Sequence, residues 1–117
     1  MNISKNCKNV FFPYEIEPNK FELYCNDDIK ICGNTFEIIK TRIKILLERD
    51  YKIIILNEND QYLKVFSQFD YNDMQNLEDL EIILYNLNCK DYFIKKGQVF
   101  ANIYLINTQN NLNINYQ

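Results

Sequence analysis

Short β-forming runs follow one another along this chain at intervals of roughly 8–12 residues, and that spacing points to a sandwich or barrel. Val10–Phe12 is one such run, ended by Pro13. Phe21–Cys25 alternates and lies between Asn19 and the polar group Asn26–Asp28. Ile29–Cys32 comes next, and Gly33-Asn34 then forms a strong turn signal. Thr35–Lys40 and Arg42–Leu47 are further candidate strands, the second alternating charged and apolar residues over its first four positions. Tyr51–Leu56 is rich in β-branched residues and is closed by Asn57-Glu58-Asn59-Asp60; Gln61–Phe69 is again strand-like. Near the end, Tyr92–Leu105 reads as strand, tight Lys96-Gly97 turn, strand, a hairpin-like arrangement.

One segment is ambiguous by itself. Leu77, Leu80, Leu84 and Leu87 stand at helical spacing, with Glu78, Asp79 and Glu81 among them, as in a helix with an acidic first turn. Glu81–Tyr85 is equally one more strand in a run of strands, and the surrounding spacing favours strand. The chain of 117 residues predicts one all-β domain, a β-sandwich with its core at about 10–106 and a flexible Asn-rich tail at 107–117. With two Gly and two Pro, internal linkers are not expected.

A net charge of −3 and the absence of any run of four basic residues argue against nucleic acid as a partner, because phosphate neutralisation needs surplus Lys and Arg. The apolar run Ile53–Leu56 is far too short to span a bilayer, and no apolar stretch follows the first residues as in a secretory signal. A cytoplasmic setting is therefore expected, with no membrane partner. Cys7, Cys25, Cys32 and Cys89 match no zinc spacing, and the chain has no His. They are expected to be free thiols serving as small buried hydrophobes, and no metal site is expected. Without His, a Ser-His or Cys-His nucleophile within one chain is excluded.

Several segments, taken in order, carry a family resemblance. Phe21-Glu22-Leu23-Tyr24 is similar to an Ala-Gly-Tyr-Asp-Leu motif, with Glu22 in the Asp position. Gly33 matches the glycine of the next turn, and Arg42-Ile43-Lys44-Ile45 the strand after a Thr-Gly pair, here Lys40-Thr41. Tyr85-Asn86 matches an aromatic-Asn pair, and Lys96-Gly97-x-x-x-Ala101 the start of a fourth motif. The set resembles the trimeric dUTPase family, and the likeness covers most of residues 10–106. It implies a dUTPase-like jelly-roll of mostly antiparallel strands and a homotrimer.

The chemistry of that family is largely missing. The resemblance places an Arg-Ser-Gly motif after Ile55-Leu56, where this chain has Asn57-Glu58-Asn59-Asp60; a carboxylate there repels a triphosphate. Gln98 stands where the fourth motif has Asp, and the chain ends in Asn110–Gln117 with no Gly to cradle phosphate. Asp73 is the weak candidate for the water-orienting catalytic Asp, and Tyr71 for a base-stacking aromatic. Tyr71-Asn72-Asp73-Met74 also fits a Tyr-x-x-Met pattern read by SH2 domains when phosphorylated, and is the candidate interaction segment. The expectation is a non-enzymatic relative, viral or from a mobile element, that binds a host protein and takes no cofactor, with Mg2+ relevant only to residual hydrolysis. Its alternatives are an assembly subunit of a virion and a nucleotide-binding protein with residual dUTPase activity.

Overall fold

All but one of the β-branched and aromatic runs form strands, each placing a row of side chains on a shared core and leaving the alternate row outside. The computed structural model describes residues 1–5, 8–66, 76–77 and 80–107. Twelve strands are present among them, and no helix: β1 Asn2–Lys5, β2 Tyr14–Glu17, β3 Lys20–Tyr24, β4 Ile29–Ile31, β5 Phe36–Lys40, β6 Ile43–Leu46, β7 Tyr51–Leu56, β8 Leu63–Phe66, β9 Asn76–Leu77, β10 Glu81–Asn86, β11 Tyr92–Ile94 and β12 Val99–Asn107. All observed pairings are antiparallel. Among the described residues no helix is long and apolar enough to cross a membrane.

The strands form four sheets, ordered β1-β6-β9, β5-β10-β8, β11-β4 and β2-β3-β12-β7. Their inner faces meet in one hydrophobic cluster. Ile82 and Leu84 of β10, Ile53 and Ile55 of β7, and Phe100, Ala101 and Ile103 of β12 are all within it. The fold is thus an all-β sandwich. In β12, the register against β3 slips between Val99 and Ala101. This bulge turns two consecutive residues, Phe100 and Ala101, into the core, which strict alternation forbids.

Within the ambiguous Leu77–Leu87 segment, Glu81–Asn86 is strand: β10 pairs with β5 on one side and β8 on the other, while residues 78 and 79 lie outside the described residues. A central strand satisfies its backbone groups on both edges, and that outweighs the helical spacing of the leucines. The strand expected over 61–69 is observed as β8; its residues beyond Phe66, like the tail from Thr108, lie outside the described residues.

Three expectations are corrected. Val10–Phe12 is not a strand; Val10 and Pro13 are buried in extended chain, and the Phe11 N–H donates to Asn26 Oδ1 at 2.9 Å, a side chain taking the place of a ladder. Strands form instead on either side of it, at β1, which pairs with β6, and at β2. The Lys96-Gly97 turn does not close a hairpin. β11 pairs with β4 while β12 pairs with β3 and β7, so the turn carries the chain from one sheet to another. Finally, the cysteines are not uniformly buried: Cys25 is, whereas Cys32 and Cys89 are exposed and free, on the turns that follow β4 and β10. Cys7 lies outside the described residues.

Gly97 has φ +86°, a conformation that suits the glycine of a tight turn. The Gln98 N–H donates to the Lys95 carbonyl at 2.9 Å, the Gly97 N–H to the Cys25 carbonyl at 2.8 Å, and the Lys96 N–H to Asp28 Oδ1 at 2.8 Å. The turn is therefore clasped by the Cys25–Asp28 turn, which fixes where β12 enters its sheet.

Candidate functional site

The loop joining β7 to β8, Asn57-Glu58-Asn59-Asp60, is where the family resemblance expects phosphate-binding groups. Its backbone is shaped by its own side chains. Asn57 Oδ1 accepts from the N–H groups of Asn59 at 3.2 Å and Asp60 at 3.0 Å, an Asx-type turn. Asn57 Nδ2 donates to the Phe100 carbonyl at 2.8 Å and so anchors the loop to the bulge of β12. Asp60 Oδ1 accepts the Tyr62 N–H at 2.8 Å. The Tyr92 hydroxyl also bonds the Asp60 carboxylate; burial first, and then this carboxylate, push the phenol above its ordinary value.

Beneath the loop lies a cavity of about 200 Å³ lined by Asn57, Asn59, Leu63, Tyr92, Gln98 and Phe100, among others. Its lining includes no Lys or Arg. Typical small-molecule pockets measure ~300–1,000 Å³. A chamber this small, walled by amides, a phenol and aliphatic groups, accommodates a few waters or a small neutral group and offers nothing to balance a polyphosphate. Gln98 does not present its side chain as a site group either, since Oε1 accepts the Lys95 N–H at 3.1 Å and closes its own turn.

Glu58, in the position the resemblance assigns to arginine, points to the outer face of the four-stranded sheet. Lys20 Nζ lies 3.3 Å from Glu58 Oε2 and 3.7 Å from Glu17 Oε1, and it sits 5.3 Å from the centre of the Tyr104 ring. The Tyr104 hydroxyl donates to Glu58 Oε1. Strand register explains the convergence, because Tyr104 of β12 is opposite Lys20 of β3 and Ile54 of β7. Sequence reasoning singled out Glu58 but missed Lys20 and Tyr104, which are 38 and 46 residues away from it. A register drawn between β3, β7 and β12 is the signal that finds them.

Glu22, in the motif position of an Asp, accepts from the Tyr24 hydroxyl at 3.3 Å; burial and then Glu22 raise the pKa of that phenol. Two further clefts flank the Lys96-Gly97 turn: one of about 310 Å³ beside Lys8, Phe11 and Lys96, the other about 330 Å³ beside Asp28, Lys30, Phe93 and Lys95. Lys30 is held to Asp91 at 3.6 Å.

The residues of this loop do not fit a divalent cation. The Glu58 carboxylate is engaged by Lys20 and Tyr104, and that of Asp60 by Tyr62 and Tyr92. Among the described residues no three His, Cys, Asp or Glu side chains are grouped to hold a metal. The weak candidates Asp73 and Tyr71, and the segment Tyr71-Asn72-Asp73-Met74, lie outside the described residues.

No protein-family profile matches the sequence. No curated protein sequence matches it either. Solved structures do. The fold is similar to that of a mutant dUTPase of Staphylococcus bacteriophage 80alpha crystallised with dUpNHpp, with a TM-score of 0.75 and 12% identity over 91% of this chain and 84% of that one. A mutant dUTPase of Staphylococcus aureus phage phi11 gives 0.73 and 11% identity over 91% and 89%. The native dUTPase of EIAV gives 0.71 and 16% identity over 91% and 88%. At such identities it is the backbone architecture that is shared, and on that ground this chain has the dUTPase-like β fold.

Proposed function

We propose that this protein is a non-enzymatic dUTPase-like protein, from a virus or mobile element, that acts by binding a host protein. The observation that carries the reading is Glu58, an acid where the family resemblance calls for a phosphate-binding arginine, held by Lys20 and Tyr104. Rotating it away to admit a triphosphate breaks both contacts and still leaves a negative charge near the phosphates. A regulatory use of this fold has a parallel among the similar structures. The bacteriophage 80alpha dUTPase is described as controlling transfer of virulence genes by a proto-oncogenic G protein-like mechanism.

The test is direct. Purified protein is incubated with dUTP and Mg2+, and released dUMP is quantified; thermal shifts with dUMP and a non-hydrolysable dUTP are measured alongside. The expected result is no turnover above buffer and no shift, together with recovery of one defined protein from host lysate. A measurable turnover, or stabilisation by the nucleotide, overturns the non-enzymatic reading, since a ligand that binds only the folded state raises its apparent stability.

A further inference from the structure

The turn after β4 and the turn after β10 each carry an exposed free thiol, Cys32 on the first and Cys89 on the second. Neither lines the cavity beneath the β7–β8 loop. Cys32 opens a tight turn, in which its carbonyl accepts the Thr35 N–H at 3.2 Å and the Thr35 hydroxyl at 2.7 Å. The next residue, Gly33, lies directly on Cys89. The point where a β-carbon would stand on Gly33 is 2.2 Å from the Cys89 carbonyl oxygen and 2.5 Å from its carbonyl carbon. Only a glycine lets two turns come this close.

That contact places the α-carbons of Gly33 and Cys89 no more than about 5.5 Å apart, and Cys32 is one peptide step, ~3.8 Å, from Gly33. A disulfide spans α-carbons ~4.4–6.8 Å apart. Both cysteines are outside the strands, so the last adjustment that brings their sulfurs together falls within the turns. The ladders on either side, β5 on β10 and β4 on β11, hold the two segments in place. Between those ladders the turns are already tied. The Asn34 N–H donates to the Asn88 carbonyl at 2.9 Å, and the Gly33 N–H donates to Asp91 Oδ1 at 3.1 Å.

We propose that Cys32 and Cys89 are a site of reversible thiol oxidation, at which a low-molecular-weight disulfide of the glutathione type closes a bond between the two turns. One protein thiolate attacks a sulfur of the small disulfide; that S–S bond breaks, a mixed disulfide forms and the first small thiolate leaves. The second protein thiolate then attacks the protein-side sulfur of the mixed disulfide and expels the other small thiolate. The two protons given up by Cys32 and Cys89 end on the two released thiols. The protein loses two electrons and the small disulfide gains them. Exposure admits the reagent, and the neighbouring turn presents the second thiol within the same chain. The bond closes a loop from residue 32 to residue 89 and so restricts the unfolded chain.

The experiment treats the folded full chain carrying Cys7→Ser with oxidised glutathione, then reads intact mass, a non-reducing peptide map and thermal melting. The Cys7→Ser background removes the thiol that lies outside the described residues. The expected product has lost two hydrogens per chain, and its map joins the Cys32 peptide to the Cys89 peptide. Its Tm is expected to rise by about 5 °C or more and to return on adding dithiothreitol. Cys32→Ser and Cys89→Ser, each added to that background, are expected to stop at one glutathione adduct on the remaining exposed thiol, with no rise in Tm. A cooperative melt verifies that each variant folds, and if one does not, the other carries the test. The absence of any reaction overturns the proposal. So do two adducts on one chain without a link, a link through Cys25 or between chains, and a linked chain whose Tm does not rise.

Discussion

Arg42 has φ +56°, in the left-handed region where a β-carbon crowds the following carbonyl. The chain accepts it because Thr41 pins the connection between β5 and β6: its hydroxyl donates to the Leu80 carbonyl at 2.6 Å and its N–H to the same oxygen at 3.0 Å. The Arg42 guanidinium reaches Asp27 at 3.7 Å, but both side chains are solvated and the pair adds little. The backbone at position 42 is therefore one that favours glycine. Arg42→Gly is expected to relieve ~1–2 kcal/mol of backbone strain, offset by the greater freedom glycine has when unfolded. A net gain of about 0.5–1 kcal/mol, read as a higher urea midpoint with unchanged slope, is the expected outcome.

At the scale of elements, two turns are packed directly on one another. The turn after β4 is packed on the turn after β10. Asn34 N–H donates to the Asn88 carbonyl at 2.9 Å, Gly33 N–H to Asp91 Oδ1 at 3.1 Å, and buried Asn86 bridges the Ile31 and Lys90 carbonyls through Nδ2 at 3.1 and 2.8 Å. A β-carbon on Gly33 would collide with the Cys89 carbonyl, which is backbone and cannot swing aside. At Gly97 a β-carbon would meet only the edge of the Phe11 ring at 3.6 Å, so the strain there is conformational. The expected order is therefore Gly33→Ala above Gly97→Ala: about 2–3 kcal/mol for the first, from forced separation of two turns, and about 1 kcal/mol for the second. Denaturant melts of the two variants side by side check it. Equal losses would mean that the turn contact is not rigid.

At the scale of the whole molecule, the displaced titrations of Cys25, Tyr24 and Tyr92 all act in one direction. Burial raises the Cys25 thiol above its ordinary value of 9.0, and burial followed by a neighbouring carboxylate raises Tyr24 and Tyr92 above 10.0. Each folded-state pKa lies above its unfolded one, so above the ordinary value the native chain holds more protons than the unfolded chain. Stability from these groups is complete below pH 9 and falls as the pH rises through the folded values. Thermal melts from pH 7 to 11 should give a falling Tm above about pH 9, and Cys25→Ser should reduce the earliest part of that fall. A Tm flat to pH 11 would show that these groups remain solvated enough to ionise in place.

Much of this architecture is written locally. The β-branched runs, the Gly33-Asn34 and Lys96-Gly97 turns and the alternation along β7 and β10 are visible residue by residue, because side-chain period and turn chemistry depend on near neighbours. The reading of these strands as a dUTPase-like β fold also came from the order of such segments. What only the tertiary structure decided is which strand meets which. The Lys96-Gly97 turn looks like a hairpin in the sequence but crosses between sheets, because β11 pairs with β4 while β12 pairs with β3 and β7. Glu58 reads as a solvated loop acid until register brings Lys20 and Tyr104 beside it. The apolar rows of β5, β8 and β10 look like core until pairing shows that one row of each faces outward. Local sequence determines a strand and its two faces; the partner, and hence which face is buried, is set by contacts between segments far apart in the chain.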